Sequence, residues 1–367
     1  MKLRCGRDEL SEGLQTVQHG VSSRPGIPAL TGVLLEARSD QSVTLTTTDL
    51  ELCARLTIDV QVQEEGVALV PARLLGDTVK SLADAPVELE ADQAQVRIRC
   101  AAYEGALRVL PEEDFPTLQG PSGIRVVVDA AMVAEAVGQV ARAASRDEAR
   151  PVLTGVLVEV SREGLTLVST DSYRLAVREL VATADGEARA IVPERAMAEA
   201  GRAAGGVEKG EVELFVNESQ VAFQIDGLTL TSRLIEGEFP NYRQLLPEVY
   251  QSRLTVSRQH LLEAVRRVGL LARDTSPVRL EFNALGVKLS SSSPDLGEAV
   301  EAVEARYEGE DVTAAFNPSY LADGLAAATG ETARLEVRDG LKPGVVRGES
   351  DDFMYLVMPV RLPAPVG

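Results

Sequence analysis

Two aspartates, Asp49 and Asp171, occur at equivalent places in two similar segments, and each directly follows a threonine. Paired carboxylates can act as general acid and base in a hydrolase. A Thr-Asp pair at the end of a strand, however, more often caps a turn by accepting backbone hydrogen bonds. We therefore expect capped turns here and keep the hydrolase as an alternative, in which both aspartates would face a cleft.

Other chemistry-bearing residues are scarce. The sequence contains no GxxxxGK[ST], GxGxxG, HExxH or GxSxG motif, and its two histidines, His19 and His260, are too few for most metal sites or triads. We expect His260, beside an apolar helical stripe, to be a partly buried structural residue. Cys5, Cys53 and Cys100 lie too far apart for a disulfide framework and predict buried thiols in a reducing cytoplasm. These features predict a binding protein without a cofactor or metal.

Composition describes a globular protein of two or three domains, with 367 residues, 45% hydrophobic and 25% charged. No apolar run reaches the roughly 18 residues of a membrane-spanning helix, and no apolar stretch follows the first residues. We expect a cytoplasmic protein that does not bind membranes. The net charge of −19 should repel nucleic acid unless positive charge is segregated.

Three similar segments make up the chain. Pro28-Ala-Leu-Thr-Gly-Val-Leu-Leu-Glu36 recurs as Pro151-Val-Leu-Thr-Gly-Val-Leu-Val-Glu159, with seven of nine residues identical, 123 positions later. An upstream helical pattern that begins at Leu10 returns at Val133 and again at Leu261. The repeats predict three domains, residues 1–121, 122–249 and 250–367.

Each repeat predicts the same elements in the same order. A short strand opens it, an amphipathic helix with apolar residues at i, i+4 and i+7 follows, and strands of period two come next. A second helix then begins near a proline, at Pro71, Pro193 and Pro318. The resulting α+β repeat has two helices and roughly eight strands, with the helices packed on antiparallel sheets.

Charge is unevenly distributed between helices and strands. The predicted helical windows are residues 7–24, 71–83, 131–150, 193–209, 257–273 and 318–329. They carry a net charge of +2, which leaves −21 on the rest of the chain. Each phosphate that an arginine neutralises adds to the salt-dependent affinity for DNA. A nearly neutral helical surface with scattered arginines neutralises few phosphates and would therefore hold a duplex loosely.

The residue patterns together resemble one known family, the bacterial DNA polymerase III beta subunit, which is the replicative sliding clamp. The resemblance rests on Ser23-Arg24-Pro25 with Pro28 and Leu30, on Thr170-Asp-Ser-Tyr-Arg-Leu-Ala176, on Phe239-Pro-Asn-Tyr242 and on Tyr355-Leu-Val-Met-Pro-Val-Arg-Leu362. It runs the full length of the chain.

The resemblance implies a non-catalytic processivity factor of DNA replication. Two chains would associate head to tail, so that six repeats form a closed ring with helices lining the hole. The ring would encircle double-stranded DNA without sequence preference. Its expected partners are the replicative DNA polymerase, the clamp loader, repair polymerases and other clamp-binding proteins. Each would dock a short peptide between the second and third repeats.

The resemblance also assigns residues to three sites. The peptide pocket would comprise Leu153, Thr170, Ser172, Tyr173, Arg174, Leu175, Pro240, Leu245, Met358, Pro359, Val360, Arg361 and Leu362. The residues facing DNA would be Arg24 and Arg73 by family match, and Arg146, Arg150, Arg195, Arg202, Arg266 and Arg267 by helix placement. The dimer seam would be Leu270 and Leu271 on one side and Leu107 on the other.

One departure from the family pattern leaves an alternative open. An aromatic residue expected near Gly105 at the seam is missing, although Tyr103 stands two positions away. A weak seam would make the chain an open scaffold of the same fold, which binds partner peptides but never encircles DNA.

Overall fold

The computed structural model describes residues 1–22, 26–246, 250–272 and 276–361. In these residues one succession of elements occurs three times, with two α-helices and nine strands in each repeat. The sequence predicted about eight strands, and short edge strands such as Thr183–Ala184 account for the difference. The predicted α+β class with two helices per repeat is confirmed.

The elements of the three repeats have the following bounds. The first repeat contains β1 (Lys2–Cys5), α1 (Arg7–Val17), β2 (Gly32–Arg38), β3 (Ser42–Thr48), β4 (Leu52–Asp59), β5 (Gln61–Glu64), β6 (Gly66–Pro71), α2 (Ala72–Ser81), β7 (Val87–Ala91), β8 (Gln95–Cys100) and β9 (Tyr103–Arg108). The second contains β10 (Ile124–Asp129), α3 (Ala130–Val140), β11 (Gly155–Ser161), β12 (Gly164–Thr170), β13 (Arg174–Leu180), β14 (Thr183–Ala184), β15 (Ala188–Pro193), α4 (Glu194–Gly205), β16 (Glu211–Val216), β17 (Gln220–Ile225) and β18 (Leu228–Arg233). The third contains β19 (Ser252–Ser257), α5 (Arg258–Gly269), β20 (Val278–Asn283), β21 (Gly286–Ser293), β22 (Gly297–Glu304), β23 (Arg306–Glu308), β24 (Val312–Phe316), α6 (Pro318–Ala327), β25 (Thr332–Val337), β26 (Gly344–Arg347) and β27 (Phe353–Val357).

The chain divides into two compact units, of which the first contains residues 1–131 and 202–234. Within these residues the strands of its larger antiparallel sheet follow the order β10-β16-β17-β18-β4-β3-β2-β6. Strand β18 of the second repeat pairs with β4 of the first, with Leu230 opposite Ala54. A second sheet, β5-β1-β7-β8-β9, has β9 at its edge. The first and second repeats are therefore joined by main-chain hydrogen bonds.

The second unit contains residues 132–201 and those from 235 onward. Its larger sheet has the order β15-β11-β12-β13-β27-β26-β25-β19-β23. Strand β13 of the second repeat pairs with β27 of the third, with Arg174 opposite Val357. The other sheet, β22-β21-β20-β24, has β22 at its edge. The β13–β27 pairing brings the end of the second repeat's Thr-Asp turn beside the C-terminal strand.

The helices begin and pack as their sequences predict. In α1 the apolar residues Leu10, Leu14 and Val17 are buried, which confirms the stripe at i, i+4 and i+7. Helix α6 starts at Pro318, and the Asn317 side chain caps it by accepting from the next backbone N–H groups. Two predicted windows, residues 7–24 and 131–150, were too long, because the α-helices end at Val17 and Val140 and a 3₁₀ turn follows each of them.

Helix α6 approaches β27 closely at a glycine. A Cβ atom built on Gly324 would lie 2.5 Å from the Tyr355 ring, a distance that side chains do not tolerate. Tyr355 is fully buried. Glycine at this position thus lets the helix pack directly on the aromatic ring.

The expectation for His260 was wrong, and that for the three cysteines was confirmed. His260 is exposed, so the prediction of a partly buried histidine was wrong. At about 100° per residue its side chain falls outside the buried stripe that Leu261 begins. All three cysteines are buried and free, as expected. Burial raises the pKa of Cys5 to about 12 and that of Cys53 to about 11, which keeps both thiols protonated and unreactive.

Candidate functional site

The Thr-Asp motif of the second repeat forms a tight turn between β12 and β13. The Asp171 Oδ1 atom accepts from the backbone N–H groups of Tyr173 and Arg174, at 2.9 and 3.0 Å. The Thr170 hydroxyl donates to the Arg174 carbonyl at 2.6 Å, and Ser172 lies at a positive φ of 79°. The turn is further held by Arg150, whose Nη1 donates to the Ser172 hydroxyl at 2.9 Å. Tyr173 is consequently presented to solvent on a rigid support.

Arg174 connects this turn to the third repeat. Its Nε atom donates to Asp171 Oδ2 at 3.0 Å, and its Nη1 atom donates to Asp323 and, at 3.3 Å, to the Tyr355 hydroxyl. Its guanidinium also lies 4.6 Å from the centre of the Tyr320 ring. Asp323 and Tyr320 both belong to α6, so one side chain fixes the turn against that helix.

The electrostatics of this cluster favour the charged arginine. Burial alone would lower the pKa of Arg174, but the oxygens of Tyr355, Asp323 and Asp171 raise it above its ordinary value. Burial raises the pKa of Tyr355, which therefore stays protonated at neutral pH. The ring of Tyr173 stacks on that of Tyr320 with centroids 6.3 Å apart. The Arg174 guanidinium and the rings of Tyr173 and Tyr320 together form one continuous surface of aromatic and charged groups beside the turn.

The segment after β27 runs alongside the same turn. The Met358 backbone N–H donates to the Tyr173 carbonyl at 2.8 Å, and that of Val360 donates to the Ala315 carbonyl at 2.8 Å. Pro359 forms an isolated bridge with Phe316. The Met358 side chain is 42% exposed beside the 60% exposed Tyr173. The backbones of Met358 and Tyr173 are thus fixed to each other, while both side chains face solvent.

An apolar cluster lies beneath this surface. It contains Leu175 and Leu356 together with Phe239 and Tyr242 from the segment between β18 and β19. In that segment Pro240 and Leu245 are exposed, Leu245 by 50%. Exposed apolar side chains around a buried apolar floor suit the binding of a short apolar peptide.

The structure connects most of the predicted pocket residues. Hydrogen bonds join Thr170 with Ser172 and Arg174, and Tyr173 with Met358. Leu175 lies opposite Thr170 in the β12–β13 ladder, and Pro359 and Val360 contact Phe316 and Ala315 of β24. Leu153 is buried, and its backbone bonds to Arg150. Arg361 is exposed, and Leu362 lies outside the described residues. Sequence reasoning missed Tyr320 and Asp323, for which the repeat pattern offered only the nearby helix-starting proline.

The equivalent turn of the first repeat has the same capping. Asp49 Oδ1 accepts from the backbone N–H groups of Glu51 and Leu52, at 3.0 and 2.8 Å. Asp171 has the same role in the second repeat, as described above. Both aspartates therefore cap turns, as expected, and the hydrolase hypothesis loses the residues on which it rested.

The arginines predicted to face DNA have different environments. Arg73, Arg146, Arg195, Arg202 and Arg266 are exposed on or beside helices. Arg202 lines a groove of about 490 Å³ whose wall also carries Glu9, Glu12, Asp59 and Asp226. Two others are engaged by carboxylates: Arg267 pairs with Glu301 at 2.6 Å, and Arg150 with Asp147 at 3.0 Å. Arg24 lies outside the described residues.

The residues predicted for the dimer seam lie at or near exposed sheet edges. Leu107 is half-buried on the edge strand β9, and Leu270 is 79% exposed directly after α5. Leu271 is half-buried. The Tyr103 side chain covers Gly105, since a Cβ atom there would meet the tyrosine hydroxyl at 2.4 Å. The Tyr103 side chain therefore lies directly against the Gly105 position.

Within the described ranges, no group of three or more His, Cys, Asp or Glu residues could hold a metal ion. No helix in those ranges is both long enough and apolar enough to cross a bilayer.

Comparison with protein families matches three models in succession along the chain. Residues 1–119 match the N-terminal domain of the DNA polymerase III beta subunit, residues 127–241 its central domain and residues 243–361 its C-terminal domain. The three matches follow the order of the three repeats.

Individual relatives match over nearly the whole chain. The beta sliding clamp of Streptomyces coelicolor is 36% identical over 99% of this chain and 100% of its own length. The crystal structure of a sliding clamp from Bacillus subtilis superposes with a TM-score of 0.94 at 29% identity, covering 99% and 100% of the two chains. A Pseudomonas aeruginosa sliding clamp bound to griselimycin gives the same TM-score at 30% identity and the same coverage.

The three-repeat fold and the full-length matches define the class of this protein as a DNA sliding clamp. The chain belongs to the DNA polymerase III beta subunit family. It is accordingly a non-catalytic processivity factor that works with DNA and a DNA polymerase. The open-scaffold alternative is not favoured by these matches.

Proposed function

We propose that two copies of this chain close head to tail into a ring that encircles double-stranded DNA in the cytoplasm. The ring tethers the replicative DNA polymerase by topology and is opened by a clamp loader. Repair polymerases and other clamp-binding proteins dock at the same peptide pocket. The observation that carries this proposal is the match of all three repeats, in order, to sliding clamps over 99% of the chain.

Two of the sheet edges support closure of the ring. Strands β9 and β22 end their sheets and therefore present unpaired main-chain groups. Leu107 on β9 and Leu270 with Leu271 after α5 would provide the apolar contact of each seam. In this arrangement the repeats 1–121, 122–249 and 250–367 act as three domains, and six of them complete the ring.

The arginines on and beside the helices would face the DNA. Arg73, Arg146, Arg195 and Arg266 are exposed and suit weak, non-specific contacts with phosphates. Arg24 remains assigned by family match alone. Three other arginines should contribute less to DNA binding. Carboxylates line the groove beside Arg202. Arg150 and Arg267 are each paired with a carboxylate.

The peptide pocket would lie on the surface formed by Tyr173, Leu245 and Met358. These side chains are 60%, 50% and 42% exposed, around the buried Leu175. Methionine adapts its shape to different anchors, which suits a site shared by several partners. Tyr320 and Asp323 extend this site along α6.

Retention on DNA tests the ring directly. The clamp is loaded onto a nicked circular plasmid, and half of the sample is then linearised. We expect the clamp to stay on circles and to leave linear molecules by sliding off the ends. Equal retention on both forms would favour a surface binder and overturn encirclement.

Truncation of Met358 tests the pocket. Met358→Ala should weaken binding of a peptide from the partner polymerase by about 1–2 kcal/mol, because it removes an exposed apolar anchor. Leu285→Ala is the matched control, since Leu285 is 85% exposed in the turn between β20 and β21. Titration calorimetry measures both variants. Unchanged affinity of Met358→Ala would remove this residue from the pocket.

A further inference from the structure

We propose that Glu159 is a positioning residue that holds residues 239–246 against β11 and so sets the affinity of the peptide pocket. This inference rests on the proposed function, because Pro240 and Leu245 belong to both the pocket and the held segment. Glu159 is not among the residues that the family resemblance assigned to any site.

Both carboxylate oxygens of Glu159 receive hydrogen bonds. The Tyr242 hydroxyl donates to Oε2 at 2.7 Å, and the Arg243 guanidinium donates to Oε1 at 3.2 Å and to Oε2 at 2.7 Å. Arg189, opposite Glu159 on the neighbouring strand β15, pairs with Oε1 at 3.2 Å. One carboxylate on a strand thus binds two consecutive residues of the segment.

The cluster is packed as well as hydrogen-bonded. The Arg243 guanidinium lies 4.9 Å from the centre of the Tyr242 ring, and the Glu159 side chain is only 16% exposed. Partial burial alone would raise the pKa of Glu159, but the bonds from Arg243 and Tyr242 lower it below its ordinary value. Glu159 therefore remains ionised at neutral pH, and its bonds are charge-assisted.

The held segment needs such a restraint because it is not part of a strand. It contains a 3₁₀ turn, Tyr242–Leu245, and its buried anchors are Phe239 and Tyr242. The exposed Pro240 and Leu245 lie on either side of Tyr242 in sequence. The apolar cluster packs against the Tyr242 ring, and Glu159 binds the Tyr242 hydroxyl. Because Tyr242 is fixed at both ends, the orientation of Pro240 and Leu245 on either side of it is fixed as well.

The first test combines affinity with hydrogen exchange. Glu159→Gln keeps the shape of the side chain but removes the charge that binds Arg243. We expect affinity for a peptide from the partner polymerase to fall about fivefold, because the loosened segment 239–246 must be ordered on binding. The amide of Leu246, which donates to the Arg243 carbonyl at 3.2 Å, should exchange faster. Glu163→Gln, in the exposed β11–β12 turn, is the control and should change neither quantity.

A double substitution separates positioning from general loss of stability. Arg243→Gln alone should reduce affinity to a similar degree, and Glu159→Gln with Arg243→Gln should reduce it no further, since both act through one contact. Full additivity would overturn the proposal. So would unchanged affinity in Glu159→Gln, with or without faster exchange.

Failure of the proposed function would look different. In that case the wild-type chain would not bind the polymerase peptide, and the inference would fall with it. If the wild-type chain binds the peptide, and Glu159→Gln, Arg243→Gln and the double variant bind it equally well, only the role of Glu159 is wrong.

Discussion

Leu270→Asp should convert the ring into single chains. Leu270 is 79% exposed, and in the proposed seam it would be covered by the partner copy. Burying a carboxylate without a partner costs several kcal/mol. A head-to-tail dimer contains two identical seams, so the penalty applies twice. We expect the dissociation constant of self-association to rise at least about 100-fold, which corresponds to about 2.7 kcal/mol.

Sedimentation equilibrium at micromolar concentration measures this effect. Leu341→Asp is a matched control, because Leu341 is 75% exposed in the turn between β25 and β26 and has no place in the seam. The control should sediment like the wild-type chain, and Leu270→Asp should also lose its retention on circular plasmid. A dimer that survives Leu270→Asp unchanged would place the seam elsewhere.

Asp352→Ala should have the largest effect on stability, because it removes the nearer of the two carboxylates that pair with the buried Arg178. Arg178 on β13 is only 5% exposed and binds Asp352, which precedes β27, as well as Glu135 at 3.4 Å. Removing one partner of a buried ion pair typically costs 3–5 kcal/mol. The carboxylates here are partly exposed, so we expect the free energy of unfolding to fall by about 3 kcal/mol.

The neighbouring residue provides the control for this prediction. Asp351 pairs with Arg334 at 2.5 Å, but its side chain is 79% exposed. Asp351→Ala should therefore cost less than about 1 kcal/mol, as exposed ion pairs do. Urea denaturation followed by circular dichroism compares the two variants. Equal losses would show that the Arg178 contact does not stabilise the β13–β27 junction.

The effect of Asp352 should depend on pH in a defined direction. Partial burial alone would raise the pKa of Asp352, but hydrogen bonds from Arg178 and Ser350 hold it below its ordinary value. A carboxyl group whose folded pKa lies below its unfolded value of about 3.9 stabilises the fold above that pH and loses this effect as the pH falls further. The difference between wild type and Asp352→Ala should thus be full at pH 7 and shrink toward pH 3.

The fold was predictable because its signals are local and repeated. Helix-starting prolines, apolar stripes and alternating strands each depend on a few neighbouring residues, and three copies reinforce one another. The Thr-Asp turns were predictable for the same reason, since Asp171 bonds only two and three residues ahead. The prediction for His260 failed because the buried apolar stripe of α5 begins at Leu261. The residue before it was wrongly included in the buried face.

The candidate site was only partly predictable. The turn at Thr170 and the segment at Met358 came from a family resemblance and are adjacent because β13 pairs with β27. Tyr320 and Asp323 carried no signal of their own. Helix placement also suggested Arg150 and Arg267 for DNA contacts, without indicating that Asp147 and Glu301 would pair with them.

The sequence by itself determined three repeats, their elements, their capped turns and a helical surface poor in negative charge. Only the tertiary structure decided which distant side chains meet, such as Arg174 with Asp323 across 149 positions and Glu159 with Arg243 across 84. The physical reason is that these contacts depend on which distant strands, helices and loops the fold brings together. That arrangement is governed by packing over the whole sheet and leaves no mark on the local sequence.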